Sequence, residues 1–319
     1  MISIHDHMFS ASDFEDMAEG GFTAKFCHLS VDENIFDTPG FLSDDDRLIR
    51  IFKTLDHVFT LQEKSNGRIR FAKCAEDIKT AKLESGIALI LGSEGGGFLK
   101  GRAELLRVFY RLGLRFLQLT WGYPNELATS HIQYENGPGL TPAGREVVLE
   151  MSRLGMILDL SHLSRRATDE CFEIYDKPMI YSHGHASRES RVCYFDPGQM
   201  RKLSDNRGVI GMHFCSHLIN DKYFGVYDRA LISDLLDNID LAIELGGENC
   251  VALGCDFIPI SPHFLQTTGQ EWLSYVEGLD NIRHMPLLTE AMAKRGYGDM
   301  LIMKILGGNA LRVIEEVLG

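Results

Sequence analysis

Twelve histidines occur in the chain, and a few of them fall where they could do chemistry. His5 and His7 are two residues apart in an apolar N-terminal run. On a strand, side chains two apart project to the same side, so this pair can share one ion. Glu94 lies in Ser93-Glu94-Gly95-Gly96-Gly97. Glycines there let backbone approach closely, and a carboxylate can bridge two cations. His162 follows Asp159-Leu160-Ser161 and His183 follows Tyr181-Ser182, two Ser-His pairs in separate segments. Asp256, in Gly254-Cys255-Asp256-Phe257, falls where a dinuclear hydrolase keeps a proton acceptor. Each signal alone has a plainer explanation: a strand end, a loop carboxylate, a helix cap. Their joint placement is what favours metal. Imidazole and carboxylate donors without thiolate suit Zn2+ in an open catalytic site, with Mn2+ or Fe2+ as alternatives.

The elements that must position these residues can be read from hydrophobic patterning. Short apolar runs occupy residues 2–4, 21–29, 87–91, 114–119, 156–160, 178–181, 209–214 and 251–253. Such runs fit parallel strands covered on both faces. Helical patterns fill the gaps. Residues 44–62 put Leu48, Ile51, Phe52 and Leu55 on one face. Thr141-Pro142 and Asp196-Pro197 each pair a cap with proline at the first helical position, and Ser164 can cap a helix through Tyr175. Residues 232–245 form another helix, closed by Gly246-Gly247. Eight alternations of strand and helix predict an α/β fold, a closed (β/α)8 TIM barrel forming one domain over residues 1–319. The candidate residues follow the first, third, fifth, sixth and eighth runs. In a barrel those C-terminal ends converge on one mouth.

Composition narrows the function. A net charge of −13 over 319 residues, with no basic run longer than Arg165-Arg166 or Arg201-Lys202, argues against a nucleic-acid surface. No stretch approaches the roughly 20 apolar residues of a membrane helix. Met1-Ile2-Ser3-Ile4 leads straight into His5, without the basic and apolar segments of a secretory signal. Seven scattered cysteines with no CxxC read as free thiols in a reducing cytoplasm. The expected partner is a small molecule, and a homodimer is compatible with these features.

The motifs resemble the membrane (renal) dipeptidase family of zinc metallopeptidases, within the amidohydrolase-like superfamily, over nearly the whole chain. The most specific stretch is Gly139-Leu140-Thr141-Pro142-Ala143-Gly144-Arg145-Glu146-Val147-Val148, continuing through Leu154-Gly155-Met156-Ile157-Leu158-Asp159-Leu160-Ser161-His162. Glu94-Gly95-Gly96, Ser182-His183, Gly254-Cys255-Asp256-Phe257 and Gly307-Gly308-Asn309-Ala310-Leu311-Arg312-Val313 match its other blocks. The resemblance implies two divalent ions, most often Zn2+, and hydrolysis of a dipeptide amide by a metal-bridging hydroxide. Glu94 would bridge the ions, with His5 and His7 on one and His162 and His183 on the other. Asp256 would take the proton and pass it to the leaving amine. A family arginine after the sixth strand would grip the substrate carboxylate as a fork. Arg191 is the first choice for it and Arg188 the second, and Trp121 and Tyr123 would line the substrate pocket.

Two departures from the family pattern matter. Its first-strand motif is usually His-x-Asp, whereas this chain reads His5-Asp6-His7. Replacing an anionic ligand by a neutral one raises the net charge of the site by one, which makes bound water more acidic. After the fourth strand the family usually reads Leu-Thr-His, and that histidine stabilises the oxyanion. Here the stretch is Leu119-Thr120-Trp121, with His185 and His213 as candidates to compensate. Losing an oxyanion donor can cost a factor of about 10²–10³ in rate. Competing readings are another barrel amidohydrolase, acting on lactones or N-acyl amino acids, and a metal-binding barrel without turnover. Amidohydrolases of that wider class often need a bridging lysine after the fourth strand, and residues 120–130 hold none.

Overall fold

The computed structural model describes residues 1–7, 11–32, 47–133, 136–189, 194–219, 228–257 and 274–319. Its strands are β1 (Ile2–Asp6), β2 (Ala24–Val31), β3 (Ile69–Phe71), β4 (Ile87–Glu94), β5 (Leu114–Gln118), β6 (Ile157–Asp159), β7 (Ile180–Ala186), β8 (Tyr194–Phe195), β9 (Val209–Met212) and β10 (Val251–Leu253). Parallel pairing runs in the order β2-β1-β10-β9-β7-β6-β5-β4, and β4 pairs back to β2, closing an eight-stranded barrel. These eight strands are the eight apolar runs. The other two lie outside those runs and outside the closed barrel: β3 lies beside the start of β4, and β8 pairs with the end of β7.

The expected caps form. Thr141 Oγ1 accepts the Gly144 N–H at 3.0 Å and opens the helix Pro142–Leu154. Ser164 Oγ accepts the Ala167 N–H at 3.2 Å ahead of Arg165–Ile174. Asp196 Oδ1 accepts from the Gly198 and Gln199 N–H groups ahead of Pro197–Asp205. Each cap satisfies backbone donors that the first turn leaves open. The first long helix spans Arg47–Lys64 and buries Ile51, Leu55 and Val58; expected positions 44–46 lie outside the described residues. The helix expected at 232–245 is Ile232–Gly246, with Gly247 following it. No helix among the described residues is long and apolar enough to cross a membrane.

The strands are apolar inside the barrel at one end and polar at the other. Ile4, Phe26, Ile90, Phe116, Ile157, Ile180, Val209 and Ala252 fill the interior together. The C-terminal helix Asn309–Leu318 closes this core with Ala310, Val313, Ile314 and Val317. Two residues further along the strands, the inward positions become His28, Gln118, Asp159 and Gly254; four further, they become Glu94 on β4 and Asp256 just past β10. The period of two along a strand carries the side chains from core to mouth on one face. On β1 the register slips between Ser3 and Asp6. That slip lets Ile4 pack in the interior while His5 and His7 reach the mouth, and it turns Asp6 outward toward Lys25 Nζ, 3.5 Å away.

Gly211, on β9, and Gly254, one residue past β10, lie side by side at the first of these levels. A Cβ on either would sit 1.9 Å from the Ser182 carbonyl oxygen. Gly254→Ala is therefore expected to destabilise the fold by at least about 1–3 kcal/mol through overpacking. Urea unfolding should show this as a lower midpoint at unchanged slope. An unchanged midpoint would mean that β7 can move aside at no cost.

Candidate metal centre

All six residues singled out as ligands or proton acceptor meet at the C-terminal mouth of the barrel. Glu94, at the end of β4, stands between two histidine pairs. Its Oε1 is 2.9 Å from His162 Nε2, 3.7 Å from His183 Nε2 and 3.8 Å from His5 Nε2, while its Oε2 is 3.8 Å from His7 Nε2. The two Nε2 atoms of His162 and His183 are 2.9 Å apart. Asp256 reaches in from the end of β10, with Oδ1 2.8 Å from His7 Nε2 and 3.3 Å from His5 Nε2. The glutamate is shared by two triads, His5–His7–Glu94 and Glu94–His162–His183, each with donor atoms within 4.8 Å of one another.

The donor set fits cations. His5 Nε2, Glu94 Oε2 and Asp256 Oδ1 are buried, and apart from the close approaches of His5 Nε2 and His7 Nε2 to Asp256 Oδ1 they have no hydrogen-bond partner among the described residues. Buried polar atoms are normally paired, so a converging group of orphans calls for a ligand. The separations between donors come near the edge of a tetrahedron with 2.0–2.1 Å bonds, about 3.3 Å. Burial, reinforced by His5, depresses His162 to about 3 and holds His183 well below its ordinary value. Both therefore stay neutral, the form that ligates. Burial alone would raise Asp256, but His5 and His213 outweigh it and keep the carboxylate anionic.

The surrounding residues fix these side chains. Ser182 Oγ lies 3.0 Å from the Nδ1 atoms of both His5 and His183, which turns both Nε2 atoms toward the centre. Ser161 Oγ is 3.2 Å from Ser182 Oγ, so the serines of the two Ser-His pairs meet. Asp159 Oδ1 accepts the backbone N–H groups of Ser161 and Ser182, tying β6 to β7. The turn after Glu94 depends on Gly95, at φ 105, where a Cβ would fall 2.4 Å from the Asp32 carboxyl carbon. Asp32 in turn accepts from Gly97 N–H at 2.8 Å and from Asn125 Nδ2 at 2.7 Å. His162 (φ 64) and Asp256 (φ 53) adopt left-handed backbone, which non-glycine residues hold only where surrounding contacts over-determine it.

Some expectations need correction. His213 does not replace the missing oxyanion donor: its Nδ1 accepts the Cys215 N–H at 2.8 Å, so its Nε2–H donates to Asp256 Oδ2 at 2.7 Å. Arg188 is exposed and paired with Glu244 Oε2 at 2.7 Å. Arg191 lies outside the described residues. Trp121 stands at the His162 side of the centre, with ring centroids 6.3 Å apart, and Tyr123 is a further 6.3 Å out on an exposed rim. His185 is fully buried with neither ring nitrogen paired among the described residues. His28, whose ring is 4.0 Å from His5, and His131, beside His162, had not been singled out. His28 carried a usable signal: it interrupts the second run in phase with Phe26.

A sequence model of the membrane dipeptidase family, peptidase family M19, matches residues 2–318. The chain belongs to this family. It is 30% identical over 270 residues to Dipeptidase tcpJ of Claviceps purpurea, covering 83% of this chain and 59% of that protein. Dipeptidase 3 of Rattus norvegicus is 32% identical over 236 residues, covering 72% of this chain and 45% of its own length. The chain thus spans about half the length of these curated relatives. In fold it resembles an amidohydrolase from Pseudomonas aeruginosa, with a TM-score of 0.87 at 24% identity, covering 100% of this chain and 96% of the other. The family is one of metallopeptidases.

The shared position of Glu94 makes a direct prediction. Glu94→Ala should remove at least one divalent ion per chain from the metal-loaded protein, read by elemental analysis after gel filtration. Unchanged metal content would rule out a bridging carboxylate.

Proposed function

We propose that the chain is a dinuclear metallohydrolase that cleaves the amide of a dipeptide or similar small amide, with Zn2+ the preferred ion. One observation carries the reading: Glu94 presents one carboxylate oxygen to His162 and His183 and the other to His7. His5 and His7 would hold one ion, His162 and His183 the other, and Glu94 both. Two such ions supply Lewis acidity, activating water and polarising the scissile carbonyl.

The chain's own residues then have distinct tasks. His213 pins Asp256 Oδ2, so the carboxylate cannot rotate and Oδ1 faces the centre. From that position Asp256 Oδ1 takes the proton of the attacking water and delivers it to the leaving amine. Asp256→Asn should lower kcat by about 10²–10⁴-fold with metal content intact. Metal lost together with activity would make Asp256 a ligand and not the proton carrier.

The deciding experiment assays the zinc-loaded protein against L-L, L-D and D-D dipeptides, N-acyl amino acids and lactones. Dipeptide hydrolysis abolished by Asp256→Asn supports the proposal; turnover of lactones or N-acyl amino acids alone would transfer the site to another amidohydrolase reaction. Trp121 bears on this range. Indole places an apolar wall beside His162 where the family usually has an imidazole donor, which favours a substrate with an apolar or aromatic group there. Trp121→His is expected to raise dipeptide kcat/KM by about tenfold, mainly in kcat, because an oxyanion donor acts on charge present only in the transition state. A fast wild type unaffected by the change would make Trp121 a bystander.

A further inference from the structure

His162 is held at three points by residues with no direct place in the centre. Its carbonyl accepts the backbone N–H of His131 at 2.7 Å and the hydroxyl of Thr120 at 3.1 Å. Its ring Nδ1 stands 3.1 Å from His131 Nδ1. The opposite ring nitrogen, Nε2, faces Glu94 and His183, 2.9 Å from each. An imidazole that gives Nε2 to a cation keeps its proton on Nδ1, and the group that accepts that proton sets the tautomer and the ring plane. At His162 the atom that faces Nδ1 is the Nδ1 of a second imidazole.

We propose that His131 is a positioning residue: its Nδ1 accepts the Nδ1 proton of His162 and thereby sets the affinity of the cation position formed by Glu94, His162 and His183. The inference rests on the reading of that triad as a cation site. His131 then carries its own proton on Nε2. The loop geometry supports this role. The His131 N–H bond to the His162 carbonyl fixes the spacing of the two backbones, so the ring contact follows without further ordering. It also serves a ligand on left-handed backbone, where orientation cannot be left to the main chain alone. His5 and His183 are supported differently, since both turn Nδ1 to one hydroxyl, Ser182 Oγ.

The test is a Zn2+ titration of metal-free protein in competition with a chromogenic chelator, on wild type, His131→Phe, His131→Asn and Glu94→Ala. Removing an outer partner of a ligand histidine typically costs 10–100-fold in metal affinity. His131→Phe should therefore weaken one of two Zn2+ ions by roughly that factor and leave the other unchanged. His131→Asn, whose side-chain oxygen can take the place of Nδ1, should recover most of the loss. Wild-type affinity for both ions in His131→Phe, or equal weakening in the Phe and Asn variants, would overturn the proposal. Should His131→Phe not fold, His131→Ala against His131→Asn gives the same comparison. Failure of the underlying reading shows separately: wild type would bind fewer than two ions, or Glu94→Ala would bind as wild type does.

Discussion

The structure is organised around a buried convergence of lone pairs. Two imidazole nitrogens 2.9 Å apart, a glutamate oxygen at the same distance from one of them, and a second carboxylate against His5 and His7 are enclosed at the mouth of the barrel. In a low-dielectric setting such groups repel or stay unsatisfied unless positive charge is shared among them. Left to relax, the side chains would rotate apart, so the fold must withhold every easy rotation. Ser182 occupies the far nitrogens of His5 and His183, His131 that of His162, and His213 the second oxygen of Asp256. The centre is preorganised because each of these donors has a fixed neighbour behind it.

That support depends on how the barrel is filled. Apolar side chains pack its lower interior and leave no room for polar groups to sink, while the next inward positions are polar. At Gly211 and Gly254 even a methyl would collide with the Ser182 carbonyl, so β7, β9 and β10 are as close as backbones allow at this level. This proximity brings Ser182 beneath two of the proposed ligands, His5 and His183. Close packing of the strands and orientation of the ligands are therefore one constraint, and interiors at crystal-like density transmit any shift between them.

Much of this was legible in the sequence, for a physical reason. Continuous apolar runs mark strands buried on both faces, and all eight became barrel strands; the polar residue ending a run marks the mouth. The five proposed ligands and Asp256, which the fold brings together at the mouth, were picked out by that rule. It missed His28 because its run was read as uninterrupted, although the period of two puts His28 in phase with Phe26. His131 carried no such mark, since it lies in a 3₁₀ turn, residues 131–133, whose place beside His162 is decided by loop packing. The compensating role considered for His213 failed on hydrogen-bond accounting that no sequence displays. Arg188, the second choice for the carboxylate fork, is exposed and engages Glu244, a pairing across 56 residues that no sequence displays.

The His5-Asp6-His7 motif has an electrostatic consequence that only the geometry exposes. Asp6 does not make up for the anion that the family usually places at the third position, because its carboxylate faces Lys25 and accepts the His7 backbone N–H. The nearest negative charge to the His5–His7 position is instead Asp256, whose Oδ1 is 2.8 Å from His7 Nε2, against 3.8 Å for Glu94 Oε2. The same carboxylate thus balances charge at that position and is the candidate proton acceptor. These roles oppose each other, since an oxygen engaged by a cation is a weaker base. His213 deepens the conflict by donating to the other oxygen. A weaker base is a stronger acid once protonated, so a site arranged in this way, working as proposed, needs an attacking water that ionises readily and can then pass the proton on to a poor leaving group. On the proposed mechanism it is therefore in proton abstraction from the attacking water, more than in proton delivery to the leaving group, that this chain should differ from relatives with the usual motif.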